Sequence, residues 1–136
     1  MKVLSLLQPW ASLVKEKVKH IETRSWKTKY RGELYIHASM RKVTKKDARV
    51  NSLVDLLQDK EFTYGHIIAK CNLVDCIYMD DEYVENISED KIESICGRYS
   101  LGRYAWILED IVILEIPIQA KGKLSIWNYI PSIHNS

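Results

Sequence analysis

Lys19, Glu22 and Arg24 lie close together and lead directly into Trp26, Tyr30 and Arg31. Cations of this kind neutralise phosphates, and flat aromatic rings offer stacking surfaces to unpaired bases. The wider stretch from Leu4 to Ser39 repeats the mixture, with Trp10, Trp26 and Tyr30 set among Lys15, Lys17, Lys19, Arg24, Lys27, Lys29 and Arg31. Arg24 and Arg31 are the better phosphate partners, because a guanidinium fork matches two oxygens where an ammonium is a point charge. Lys19, Lys27 and Lys29 would add steering. Glu22 has two roles open to it: ion-pair partner of Lys19 and Arg24, or acceptor for the N–H groups of a base edge. The competing reading is structural, with tryptophans in the core and lysines in water.

Charge along the chain sharpens the choice. Residues 1 to 60 hold 14 Lys/Arg against 6 Asp/Glu, whereas residues 61 to 96 hold 2 against 9, although the net charge is only +2. The blocks are therefore +8 and −7, which favours a basic patch for an anionic partner over simple mutual attraction. The 136 residues suffice for one domain, residues 1–136, with a core that needs no disulfide staples. Cys71, Cys76 and Cys96 are odd in number, show no paired CxxC spacing and follow no secretory leader, so a reduced, cytoplasmic protein is expected. His20, His37, His66 and His134 show no ligand spacing with them, so neither a metal nor a cofactor is expected. No apolar run approaches the roughly 20 residues that cross a bilayer.

These residues must be positioned by a mixed α+β unit. Val3 to Leu7 reads as a strand. Pro9 opens a helix with Trp10, Leu13 and Val14 on its apolar stripe, ending near Lys17. Glu33 to Ser39 alternates, putting Leu34, Ile36 and Ala38 on one face and Tyr35 and His37 on the other. Residues 44–60 read as an amphipathic helix with Thr44 and Asp47 as capping-box partners. His66 to Tyr78 is long for one strand and reads as bent or bulged near Asn72, because its apolar face falls out of phase. Residues 80–95 read as a short acidic helix or loop. Tyr104–Leu108 and Ile111–Ile116 flank Glu109-Asp110 as a predicted hairpin, before a closing segment ending at Trp127. Trp10 lies on an apolar stripe and Trp26 among polar residues, whereas Trp106 and Trp127 are expected in the core. His37 reads first as a strand histidine bonded to its neighbours.

Gln8-Pro9-Trp10-Ala11, Lys19 with Ile21-Glu22, Arg24-Ser25-Trp26, Tyr30-Arg31-Gly32 and His37-Ala38-Ser39 follow one another in a distinctive order and spacing. In that order and spacing they resemble the ASCH domain family, which is named for a homology region in a transcription coactivator. Gly65 to Cys76, Tyr104-Ala105-Trp106 and Lys121-Gly122 through Trp127 continue the likeness over nearly the whole chain. The resemblance implies a small PUA-like β-barrel of five to seven strands flanked by two or three helices. It also implies a cleft between the barrel and the first helix that receives RNA or another nucleic acid. Lys17 and Ser125 stand where the family often has Gly; a left-handed backbone at Lys17 costs roughly 1 kcal/mol.

Some small bacterial members of this family are amidohydrolases that deacylate modified cytidine with a lysine and a threonine. Lys19 matches that lysine, but Glu22 occupies the threonine position, and Thr23 would point to the opposite face of an extended segment. Glu22 would sit near both Lys19 and Arg24, where its opposite charge favours the ionised pairs, keeps Lys19 protonated and weakens it as a base. Glu22 as general acid or base, with Lys19 stabilising an oxyanion, is the remaining catalytic version, and no residue from Glu82 to Glu93 stands out as a second carboxylate. A protein-interaction module using the acidic 80 to 93 segment is a third reading, short of apolar anchors beyond Tyr78 and Tyr83. The leading expectation is a cytoplasmic protein that binds RNA, single-stranded nucleic acid or a nucleotide-like molecule. Its expected contacts are Trp10, Lys19, Glu22, Arg24, Ser25, Trp26, Tyr30, Arg31, His37 and Ser39.

Overall fold

The computed structural model of the chain describes residues 1–44 and 46–131. Along the chain run β1 (Lys2–Leu6), α1 (Trp10–Lys15), β2 (Ile21–Arg24), β3 (Gly32–Ala38), α2 (Ala48–Val54), β4 (His66–Tyr78), α3 (Asp81–Ile87), α4 (Lys91–Ile95), β5 (Tyr104–Gln119) and β6 (Ile126–Asn128). The strands form one mixed sheet in the order β2-β5-β4-β3-β1-β6, curled into a half-barrel. β1 and β3 are parallel and every other pair is antiparallel. This is the expected α+β, PUA-like class, with six strands inside the expected range.

The alternation of β3 is realised as read. Leu34, Ile36 and Ala38 enter the main core with Leu4, Leu6, Val14, Ile68, Leu73, Trp106 and Leu108. Tyr35 faces a second cluster built on Val3, Ile67 and Trp127. A third cluster joins Leu13 of α1, Leu53 of α2, Leu57 beyond it and Cys96 just past α4, and so ties three helical segments together. Trp106 and Trp127 are buried, as expected of core tryptophans.

The first helix ends at Lys15, two residues short of the expected Lys17, through a left-handed turn. Lys17 has φ 63°, and the Val18 and Lys19 amides both return to the Leu13 carbonyl. Ser125 is left-handed as well, at φ 59°. The irregularity expected in β4 is present as a bulge, with register shifts between Ile67 and Ala69, between Lys70 and Asn72 and between Leu73 and Asp75.

Four expectations need correction. Tyr104–Ile116 is not a hairpin: β5 continues from Tyr104 to Gln119, with Asp110 in the left-handed region at φ 53° and bonded to Asn72. Aspartate tolerates that conformation, so Glu109-Asp110 makes a bulge where the composition suggested a reversal. The 44–60 helix is confined to Ala48–Val54, and Lys45 lies outside the described residues. Asp47 is itself the N-cap, accepting from the Arg49 amide, so the Thr44–Asp47 capping box is not formed; Lys60 donates to the Val54 and Leu57 carbonyls at the other end. Residues 80–95 form two helices, because Asp80 and Asp90 each cap a new start by accepting from Tyr83 and Glu93 amides. Four short helices among the described residues therefore replace the expected two or three.

Candidate nucleic-acid interface

β2 carries the chemistry. Its edge position beside β5 holds Glu22 opposite Trp106 and Arg24 opposite Tyr104. Glu22 uses both oxygens: Oε1 lies 3.5 Å from Lys19 Nζ, and Oε2 accepts from Arg24 at 2.9 and 3.0 Å. Lys19 is completely buried behind Glu22 and also donates to the Ile21 carbonyl. Arg24 donates further to the Ser5 carbonyl at 3.3 Å, and its guanidinium carbon lies 5.2 Å from the centroid of the Trp26 ring. Trp26 is 40% exposed, with its ring meeting Trp106 edge-on at 5.9 Å. One surface of an aromatic ring is thus held rigidly beside a guanidinium and in reach of solvent.

These residues border a cleft of about 460 Å³. Trp10 and the end of β1 form one side, β2 from Glu22 to Arg24 with Ser25 and Trp26 a second, and Arg49 with Cys96, Gly97, Arg98 and Arg103 complete it. Arg24, Arg49, Arg98 and Arg103 thus converge on one cavity whose single lining carboxylate, Glu22, is engaged by Lys19 and Arg24. Arg103 donates to the Arg98 and Thr23 carbonyls. Burial first, and then the Arg98 charge, pulls Arg103 below the usual guanidinium value, with Glu22 opposing and Arg24 adding to the fall. The cavity is crowded with positive charge.

Of the expected contacts, Trp10, Glu22, Arg24, Ser25 and Trp26 meet in the cleft. The other five lie elsewhere. Lys19 is interior. Tyr30 bonds to the Glu33 carbonyl, and Arg31 folds back on the Thr28 and Tyr30 carbonyls, 3.8 Å from Asp75. His37 is buried against Trp127, donating through Nε2 to the Ala120 carbonyl and accepting from the Ser5 hydroxyl at Nδ1. Ser39 accepts from the Arg41 amide. Thr23 faces the Gly97 turn, its hydroxyl oxygen accepting from the Arg98 amide at 3.1 Å.

Neither motif nor spacing in the sequence marks Arg49, Arg98 or Arg103. Arg98 and Arg103 follow the acidic block, and Arg49 sits on an amphipathic helix whose outer face begins basic without marking any one residue. Gly97 was the available signal: a Cβ there would lie 2.9 Å from Thr23 Cγ2 and 3.0 Å from Tyr99 Cε2, so the close approach of this turn to β2 requires glycine. Among the carboxylates of 82 to 93, Glu93 is the buried one; its Oε1 accepts from the His20 amide and ring while Oε2 finds no partner. Among the described residues no group of His, Cys, Asp and Glu could hold a metal ion, and no helix is long and apolar enough to cross a membrane. His134 lies outside the described residues.

A six-stranded mixed half-barrel with short helices and a basic cleft beside its first helix is a PUA-like architecture. The chain belongs to the ASCH domain family, which matches residues 4–119. It is similar to Activating signal cointegrator 1 of Homo sapiens, 27% identical over 132 residues, and of Mus musculus, 26% identical over 140 residues. Each alignment takes in 96% of this chain, which spans 22% of the length of these relatives.

Proposed function

We propose that this ASCH domain binds single-stranded nucleic acid, RNA foremost, in the arginine-lined cleft. The observation that carries the reading is the convergence of four arginines with the exposed ring of Trp26 on one cavity. Arginine supplies the charge that a phosphate backbone requires, and an aromatic ring supplies a sequence-tolerant stacking platform. A cavity of about 460 Å³ suits one or two unpaired nucleotides and not a duplex. Both oxygens of Glu22 are engaged, Lys19 is inaccessible and the Thr23 hydroxyl oxygen serves the Arg98 amide, which favours binding over hydrolysis. The same proposal places the protein in a reducing, cytoplasmic setting, with Cys71, Cys76 and Cys96 as free thiols.

The test is anisotropy of a labelled mixed-sequence single strand of about twelve nucleotides, as RNA and as DNA, against its duplex over a salt series. Binding of single strands that weakens linearly in log salt, with the duplex weaker, is expected. Failure of both single strands to bind at low salt overturns the proposal.

A further inference from the structure

The four arginines are not equivalent. Arg24 is committed to Glu22 and the Ser5 carbonyl, and Arg103 to the Arg98 and Thr23 carbonyls. The guanidinium groups of Arg49 and Arg98 have neither a hydrogen bond nor an ion pair among the described residues, and both residues are exposed.

Their backbones, in contrast, are firmly placed. The Arg49 amide donates to the cap carboxylate of Asp47, and the Arg98 amide donates to Thr23 Oγ1. Behind them, Leu53 of α2 and Cys96 of the Arg98 turn share one hydrophobic cluster with Leu13, so the two walls are fixed to each other through packed side chains. Gly97 allows the Arg98 turn to seat directly on Thr23. Two guanidinium groups without partners among the described residues, carried on mutually fixed walls, are available to an anion that each can fork, and the fixed backbones leave only the side chains to be ordered on binding. The positive charge of Arg98 is also felt at Arg103 deeper in the cleft, a repulsion that a bound anion would relieve.

We propose that Arg49 and Arg98 form a two-sided clamp on a single phosphate group, belonging to the nucleotide unit whose base lies against Trp26. The inference rests on the nucleic-acid reading above and names the groups that grip the ligand. The phosphate has two sources, the backbone of a strand or a free nucleotide.

A double-mutant cycle with Arg49→Ala and Arg98→Ala tests it, using the same labelled single-stranded RNA. Each single variant is expected to weaken binding about tenfold and to flatten the salt slope by about one phosphate. Because one phosphate is shared, the double variant should fall well short of the product of the two losses. Strictly multiplicative losses overturn the clamp in favour of two separate contacts, and unchanged affinity in either single variant overturns it outright. In both cases wild-type binding persists and the nucleic-acid reading stands, whereas a wild type that binds no strand ends both. Competition with a nucleoside 5′-monophosphate separates the sources. Displacement of the strand that is lost in the double variant assigns the clamp to a free nucleotide, and strand binding without displacement assigns it to the backbone. Circular dichroism of each variant confirms the fold, since both side chains lie at the surface.

Discussion

Arg24 joins two systems at once: its Nη2 stands 2.9 Å from Glu22 Oε2, while its guanidinium lies 5.2 Å from the centroid of the Trp26 ring. Through Glu22 the same contact reaches Lys19, which is wholly inside the protein. The binding surface is therefore built on a buried charge network, and the two respond differently to substitution.

Removing Glu22 leaves the Lys19 ammonium buried without its carboxylate. Glu22→Ala is expected to destabilise the fold by about 3–5 kcal/mol in urea denaturation. Pairing it with Lys19→Met, which removes the stranded charge and keeps the volume, should restore much of that loss. A cost below about 1 kcal/mol for Glu22→Ala, the value of an exposed pair, would show that the network is not buried in solution.

Trp26→Ala removes a stacking surface without removing charge. Binding of single-stranded RNA should weaken by about 1–3 kcal/mol with the salt slope unchanged. Arg31 lies outside the cleft, folded onto its own loop carbonyls. Arg31→Ala should leave affinity within about twofold, and a slope change as large as that of Arg98→Ala would move the phosphate contact to the Arg31 loop.

His37 titrates against the fold. Burial pulls it below the usual imidazole value; the bond to Ala120 opposes this and the His66 charge adds to it. The unfolded chain then takes up a proton at a higher pH than the native protein does. The stability that neutral His37 contributes is complete above the unfolded value, near pH 6.5, and is lost as pH falls through the lower folded value. Denaturation at pH 8 and pH 5 should show a drop that shrinks in His37→Gln. Equal pH dependence in the two proteins would place the titration elsewhere.

The thiols should divide by depth. Burial pushes Cys71 up to about 12 and Cys96 up to about 11, the Lys19 charge opposing the rise at Cys96 and Glu93 and Asp90 adding to it. At pH 8 both stay protonated, so a disulfide reagent should label half-buried Cys76 first and reach the other two only on unfolding. With raised folded values, their contribution to stability is complete below the unfolded thiol value and declines as pH rises through the folded values. Rapid labelling of Cys96 in the native protein would mean that the Leu13, Leu53 and Leu57 cluster opens readily.

The amino-acid order determined what is local. The two faces of β3, the irregularity of β4 and the core roles of Trp106 and Trp127 could be read from it, because pleat and apolar pattern act between near neighbours, whereas Lys17 and Ser125 stood out only through the family likeness. The cleft is not local. Arg49 and the Arg98–Arg103 segment lie far apart in the chain and meet Trp26 only because β2 pairs with β5 and because Leu53 and Cys96 pack in one cluster. The pairing of Lys19 with Glu22 was legible but its burial was hidden: a lysine in a basic run reads as solvated, and this one becomes interior because the chain turns at Lys17. Periodicity says which way a side chain points. Which distant side chains share a cavity is decided by sheet order and core packing, and these exist only in the folded chain.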